Sequence, residues 1–171
     1  MSKTYQTLLV CTLFCALIGA EGQQAQTAVA AAPIPSQILN GKKIFISNAG
    51  IDSYFFAHYI ADHTGSPNGL YDQFYAGMKA WGRDELVAAP AGSDLVFEIS
   101  LSRQFEREDP QLNLRILDSQ TRIVLWTFVR QVGAGSGRIA TQRKAWNSAL
   151  DDLLNSVKAL VNQPAAVAQS K

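Results

Sequence analysis

Between Ser93 and Val132 the chain alternates apolar and polar residues for most of forty positions, and that period of two restricts the possible folds more than any other feature. "SDLVFEISLSRQF" places Leu95, Phe97, Ile99 and Leu101 on one side, and "QLNLRIL" repeats the pattern with Leu112, Leu114 and Ile116. A turn, "DSQT", leads into "RIVLWTFVRQV". Successive side chains on a strand point to opposite faces, so such segments read as strands with one buried side. Short connections between consecutive strands make them antiparallel neighbours. The third segment is apolar on both faces as far as Arg130, which predicts a central strand covered on both sides.

The flanking segments supply the rest of a domain. "KKIFISNA" (Lys42–Ala49) reads as a further strand with Ile44 and Ile46 on one face, and "DELVAAP" as a short one closed by Pro90. "SPNGLYDQFYAGMKAWG" reads as a helix: Ser66 can cap, Pro67 takes the first helical position, and Gly82 ends it. Leu70, Phe74, Met78 and Trp81 form its apolar stripe. In "TQRKAWNSALDDLLNSVKALV" the stripe is Trp146, Leu150, Leu153, Val157 and Leu160, with Leu154 and Val161 beside it. Asp151 and Asp152 face water on this second helix, which ends near Val161. The expected fold class is α+β: a two-layer sandwich with a mostly antiparallel sheet of four to five strands. It has one βαβ crossover, made by the first three elements, and two helices packed on one face.

The ends of the chain differ from this middle. "MSKTYQTLLVCTLFCALIGAEGQQAQ" has Lys3, an apolar run from Leu8 to Ile18, and then small and polar residues. That run is too short to span a bilayer and matches a secretory signal, with cleavage after Gly22 at Ala20-Glu21-Gly22. Cys11 and Cys15 follow Val10 and Phe14, both too large for a lipobox, so the expectation is an exported protein, periplasmic or extracellular, that is not a lipoprotein. Both cysteines fall within the signal; the mature chain then has no disulfide, catalytic thiol or cysteine-ligated zinc. The expected organisation is a signal at 1–22, a flexible linker at 23–39, one domain at 40–162 and a disordered tail at 163–171. No transmembrane segment is expected after cleavage. A formal net charge of +1 offers no global attraction to nucleic acid or an anionic surface, so neither is expected as a partner.

"SDLVFEISL", "LNLRILDSQTRIVLWTF" and the final amphipathic helix together resemble a group of small exported bacterial α+β domains. The group includes the periplasmic domain of the curli secretion channel, penicillin-binding-protein activator lipoproteins, and the amino-terminal domain of the Tol–Pal translocation protein. The shared pattern is an "ADLVL"-like strand followed by a hairpin with an "LD…VLW"-like turn. It covers about residues 42–162 here and implies a non-catalytic role in assembly, with no catalytic residues. Many relatives are lipoproteins, and this chain departs from them in having no lipobox.

Four stretches are weighed as candidates for function. "HYIADH" contains the only two histidines, His58 and His63, with Asp62 between them and Asp52 nearby. A metal-dependent hydrolase could use such residues, but histidines five apart lie about 140° from one another on a helix and no glutamate separates them. "GAGSGR" and the residues after it, Gly133 to Lys144, follow a strand and precede a helix; Arg138, Arg143 and Lys144 could hold an anion there. The spacing is nevertheless neither a dinucleotide fingerprint nor a P-loop. "RQFEREDP" (Arg103–Pro110) mixes both charges at a hairpin end and reads as a solvated turn. Tyr54, Phe55, Phe56 and Tyr59 form an aromatic run which, if uncovered, marks a partner-binding surface. The favoured expectation is an exported binding or assembly module that needs no cofactor. Its partner is an unidentified envelope or secreted protein, and its oligomeric state is open.

Overall fold

The computed structural model describes residues 33–51, 61–62, 64–103, 109–133 and 138–162, all within one compact unit that begins at Pro33. Its elements run α1 (Ser36–Asn40), β1 (Lys43–Ile51), α2 (Gly69–Trp81), β2 (Glu85–Val87), β3 (Leu95–Ser102), β4 (Gln111–Asp118), β5 (Val124–Gln131) and α3 (Ile139–Asn162). The five strands make a single mixed sheet in the order β2-β1-β3-β4-β5. With the helices packed on it, this is the α+β architecture expected from the alternation.

Two features of the sheet differ from expectation. The β1–α2–β2 crossover forms, with Lys43 paired to Glu85 and Phe45 to Val87. However, β3 also runs parallel to β1, on its other side, in a register from Ile44–Leu95 to Ile51–Leu101. β2 is only three residues long, and after it the chain turns at Pro90–Ser93 and returns along the long free side of β1. β4 and β5 follow as antiparallel neighbours.

The second difference concerns β5, expected at the centre of the sheet. It is an edge strand, with Val124 and Val129 exposed. The register slips between Ile116 and Leu117, so that Leu117 pairs with Val124 and Ile116 with Trp126. Such a bulge lets sequence neighbours Leu125 and Trp126 both pack against the core. A strict period of two makes that pair look like two separate apolar faces.

Leu95, Phe97, Ile99, Leu101, Leu112, Leu114 and Ile116 form the inner face of the sheet, and the helix stripes close over them. Leu70, Phe74 and Met78 of α2 are buried there with Trp146, Leu150, Leu153, Val157 and Leu160 of α3. Trp146 is fully buried, and its indole N–H donates to Gln73 Oε1 at 2.8 Å, giving the two helices one polar link inside an apolar layer. They also approach closely at Gly77: a Cβ built there would lie 2.4 Å from Leu154 Cδ1. Gly82 stops α2 in the left-handed conformation, φ 66°, as its position predicts. The start of α2 is later than expected. Ser66 and Pro67 lie in the preceding turn, where Ser66 Oγ accepts the Asn68 N–H at 3.1 Å.

Ser36–Asn40, at the end of the stretch read as linker, forms a single helical turn whose Ile38 is fully buried. Burying one such side chain contributes about 2 kcal/mol, enough to help order a five-residue turn. Arg83 secures it from α2's end, donating to Leu39 O at 3.1 Å and to Asp84 Oδ2 at 3.1 Å.

Candidate functional site

The helices occupy one face of the sheet, and no described helix covers the other. Across this open face runs an apolar row with one residue from each strand: Val87, Phe45, Val96, Leu117 and Val124. Val96 and Leu117 are buried, whereas Val124 at the margin is 38% exposed. The next row is polar and includes Ser47, Glu98, Arg115 and Thr127. Glu98 receives Arg122 at 2.9 Å and Arg115 at 3.5 Å, and both arginines are about half exposed. Exposed pairs of this kind contribute little stability, but they fix the position of charge on the face. Val129 at 44% exposure lies further along the same side of β5, beyond exposed Thr127, and Ile123 just before the strand is 62% exposed.

The outer edge of β5 has a defined hydrogen-bonding phase. Val132 N–H donates to Pro110 O at 2.7 Å, so even-numbered residues of this end of β5 face β4. Antiparallel pairs alternate, and the N–H and C=O groups of Thr127, Val129 and Gln131 therefore point away from the sheet. Among the described residues, the outward Val129 carbonyl has one partner: Arg130 Nη1 donates to it at 2.8 Å. Arg130 is the only charged side chain on β5; it sits opposite Leu112, on the helix side, and its other terminal nitrogen donates to Ser156 Oγ on α3.

The carboxylates with displaced pKa values act as turn fasteners. Backbone N–H groups of Lys42 and then Lys43, at 2.8 and 2.9 Å, hold the Asp94 carboxyl below the usual range and fix where β1 begins. The Thr121 N–H, then its hydroxyl, do the same for Asp118, which closes the β4–β5 turn where Arg122 takes φ 60°. Asp84 is pushed the other way by burial, against the pull of the Arg83 guanidinium, and its Oδ1 has no hydrogen-bond partner. A polar groove of about 300 Å³ lies between the Asp94 and Asp118 turns, but Asp94 already accepts hydrogen bonds from the start of β1 and Asp118 from its own turn.

Of the residues singled out from the sequence, His58, His63, Tyr54, Phe55, Phe56 and Tyr59 lie outside the described residues. Asp62 is described and exposed. Among the described residues, no three His, Cys, Asp or Glu side chains gather as metal ligands would. Arg138, Arg143 and Lys144 are all exposed. Arg138 starts α3 through its carbonyl, which accepts the Thr141 and Gln142 N–H groups at 2.9 and 3.1 Å; residues 134–137 lie outside the described set. Trp146 is core as expected, and Trp81 and Trp126 pack half-buried against it. The β5 edge was missed because its strand was expected at the centre. Its outward aliphatics, Ile123, Val124 and Val129, were visible signals of exposure only once the bulge is allowed for.

Fold and site together define a two-layer α+β domain with helices on one sheet face and, among the described residues, no helix on the other face and no strand beyond β5. Its likeness to solved structures is at the level of the fold. It is similar to protein XCC0632 of Xanthomonas campestris, from family DUF330, at 16% identity and TM-score 0.47, over 77% of this chain and 85% of that one. A neuraminyllactose-binding hemagglutinin homologue of Helicobacter pylori aligns at 10% identity and TM-score 0.44, over 71% and 85%. Lipoprotein GNA1162 of Neisseria meningitidis aligns at 11% identity and TM-score 0.37, over 67% and 97%. No family profile matches the chain, and no curated protein matches it. The curli, penicillin-binding-protein activator and Tol–Pal group remains the reading of the motifs alone. The expectation that this chain is not lipidated rests on residues 1–22, outside the described set. No helix among the described residues is long and apolar enough to cross a membrane.

Proposed function

We propose that this protein is an exported, non-catalytic binding or assembly domain whose partner is another envelope or secreted protein. The observation that supports it most is the β5 side of the sheet: among the described residues β5 has no outer strand partner and the face beside it has no helix, while Val124 and Val129 on β5 and Ile123 just before it are exposed. Exposed apolar side chains rimmed by polar groups are a feature of partner-binding sites. The aromatic run Tyr54, Phe55, Phe56 and Tyr59 follows the end of β1 and belongs to the same proposal as a second contact surface.

A photo-crosslinking amino acid at Val129, compared with one at exposed Asp151 on α3, tests the reading in cells that export the protein. An adduct with a distinct exported protein is expected at position 129 and not at 151. Identical adducts at both positions, or none at 129, would refute it. Amino-terminal sequencing of the exported chain checks the leader, with a start near Gln23 expected.

A further inference from the structure

Among the described residues the β5 edge is unpaired, yet it is not open along its whole length. Its outward groups belong to Thr127, Val129 and Gln131, and the Val129 carbonyl in the middle is occupied by Arg130. Edge strands left as templates invite indiscriminate pairing, and a charged side chain at the edge is a common safeguard. Here the safeguard is one long side chain folded back from the helix side, with its second nitrogen on Ser156 Oγ of α3.

We propose that Arg130 is a gate on β5, and that the edge accepts an extended segment of a partner carrying a carboxylate beside Arg130 and small apolar residues over Val129. This rests on the binding reading above and specifies its chemistry. Strand addition requires the Val129 carbonyl for the incoming backbone, so Arg130 must leave it. A carboxylate on the incoming strand gives the guanidinium a stronger acceptor than a carbonyl and removes the block in the same step. Arg130 reaches such a group without leaving α3, because Ser156 holds its other nitrogen.

Charge argues against a second copy of this chain as the occupant. Two β5 strands paired with each other offer no acidic residue, since "VLWTFVRQ" has Arg130 as its single charge. Both guanidinia would stay on their Val129 carbonyls, and the central hydrogen bonds could not form. The outward valines have no such restriction: an alternating strand can cover Val129 and Thr127 on the open face while its other residues lie against Phe128 and Arg130.

The test uses the full chain, isotope-labelled, and two soluble decapeptides alternating valine and threonine. One has a central glutamate and the other a glutamine; the repeat lets either slide until that residue faces Arg130. At millimolar peptide, the glutamate version is expected to protect the amides of Thr127, Val129 and Gln131 from exchange and to bind about tenfold tighter than its counterpart. Arg130→Gln should bring the ratio near one. Val129→Pro should abolish protection with both peptides, while amides of Phe128 and Arg130 stay protected, because the lost N–H points outward and makes no bond to β4. Equal affinity of the two peptides for the wild-type chain overturns the gate. Binding without protection of the outward amides overturns strand addition, and protection that rises with protein concentration alone identifies a second copy instead. A specific crosslink at position 129 without a glutamate preference sinks this inference and leaves the binding role standing. A glutamate preference without any cellular crosslink does the reverse.

Discussion

Gly77→Ala should destabilise the protein although it improves the helix that contains it. Gly77 sits inside α2, where alanine is favoured over glycine by about 1 kcal/mol. The new methyl would stand 2.4 Å from Leu154 Cδ1, 3.2 Å from Cδ2 and 3.4 Å from Cγ on α3. Carbon atoms pack at about 3.5–4.0 Å, so the nearest contact is short by more than 1 Å. Leu154 must leave its rotamer or the helices must separate, and overpacking of this kind costs about 1–3 kcal/mol. The net effect is a loss of about 0–2 kcal/mol. In a Leu154→Ala background the obstacle is gone and the same Gly77→Ala change should stabilise by about 1 kcal/mol. Urea unfolding followed by fluorescence of the buried Trp146 measures both, and Leu154→Val removes the same δ-carbons if the alanine variant unfolds too easily. Equal stabilisation by Gly77→Ala in both backgrounds would refute the close helix contact.

The three displaced carboxyls predict opposite pH effects. Asp94 and Asp118 are held low, so their stabilisation is present above the ordinary carboxylate range and is lost as pH falls through their lowered values. Asp84 is raised by burial, so its charged form is unfavourable at neutral pH and that penalty is relieved as pH falls through its raised value. Asp84→Asn should therefore stabilise at pH 7 and have little effect at strongly acidic pH, whereas Asp94→Asn should destabilise at pH 7; thermal unfolding against pH reads both. In the core, Gln73→Ala leaves the Trp146 N–H unpaired and should cost about 1–3 kcal/mol, measured by the shift in urea midpoint.

The elements could be read from the sequence because each is bounded by local chemistry. Gly82 ends α2 where expected, β2 stops at Val87 shortly before Pro90, and the stripes through Phe74 and Trp146 are core. Neighbour relations in the sheet are another matter, since nothing local tells β3 to lie beside β1. That choice depends on long-range contacts, including the Asp94 carboxylate on Lys42 N–H, 52 residues away. The bulge near Leu117 hid the edge by making Leu125 and Trp126 imitate a two-sided strand. Arg130 was legible only as the end of an apolar run; its hydrogen bond to the neighbouring carbonyl requires the strand to be at the margin first.

The position of β1 between β2 and β3 has a consequence for how the chain reaches this state. β3, β4 and β5 are successive in sequence and can close on one another within short loops, a fast process. β1 comes first from the amino terminus, yet both its partners follow it by about forty to fifty residues, so its pairing carries most of the loop-closure entropy. A chain delivered amino end first therefore presents Ile44, Phe45 and Ile46 in an unpaired strand until β3 arrives. Insertion of β1 into its slot should therefore be the slow step, and during that interval the molecule should be most exposed to proteases and to mispairing. Weakening Asp94, which seats the start of β1, should lengthen the interval and lower the yield of folded protein before it changes anything about the finished fold.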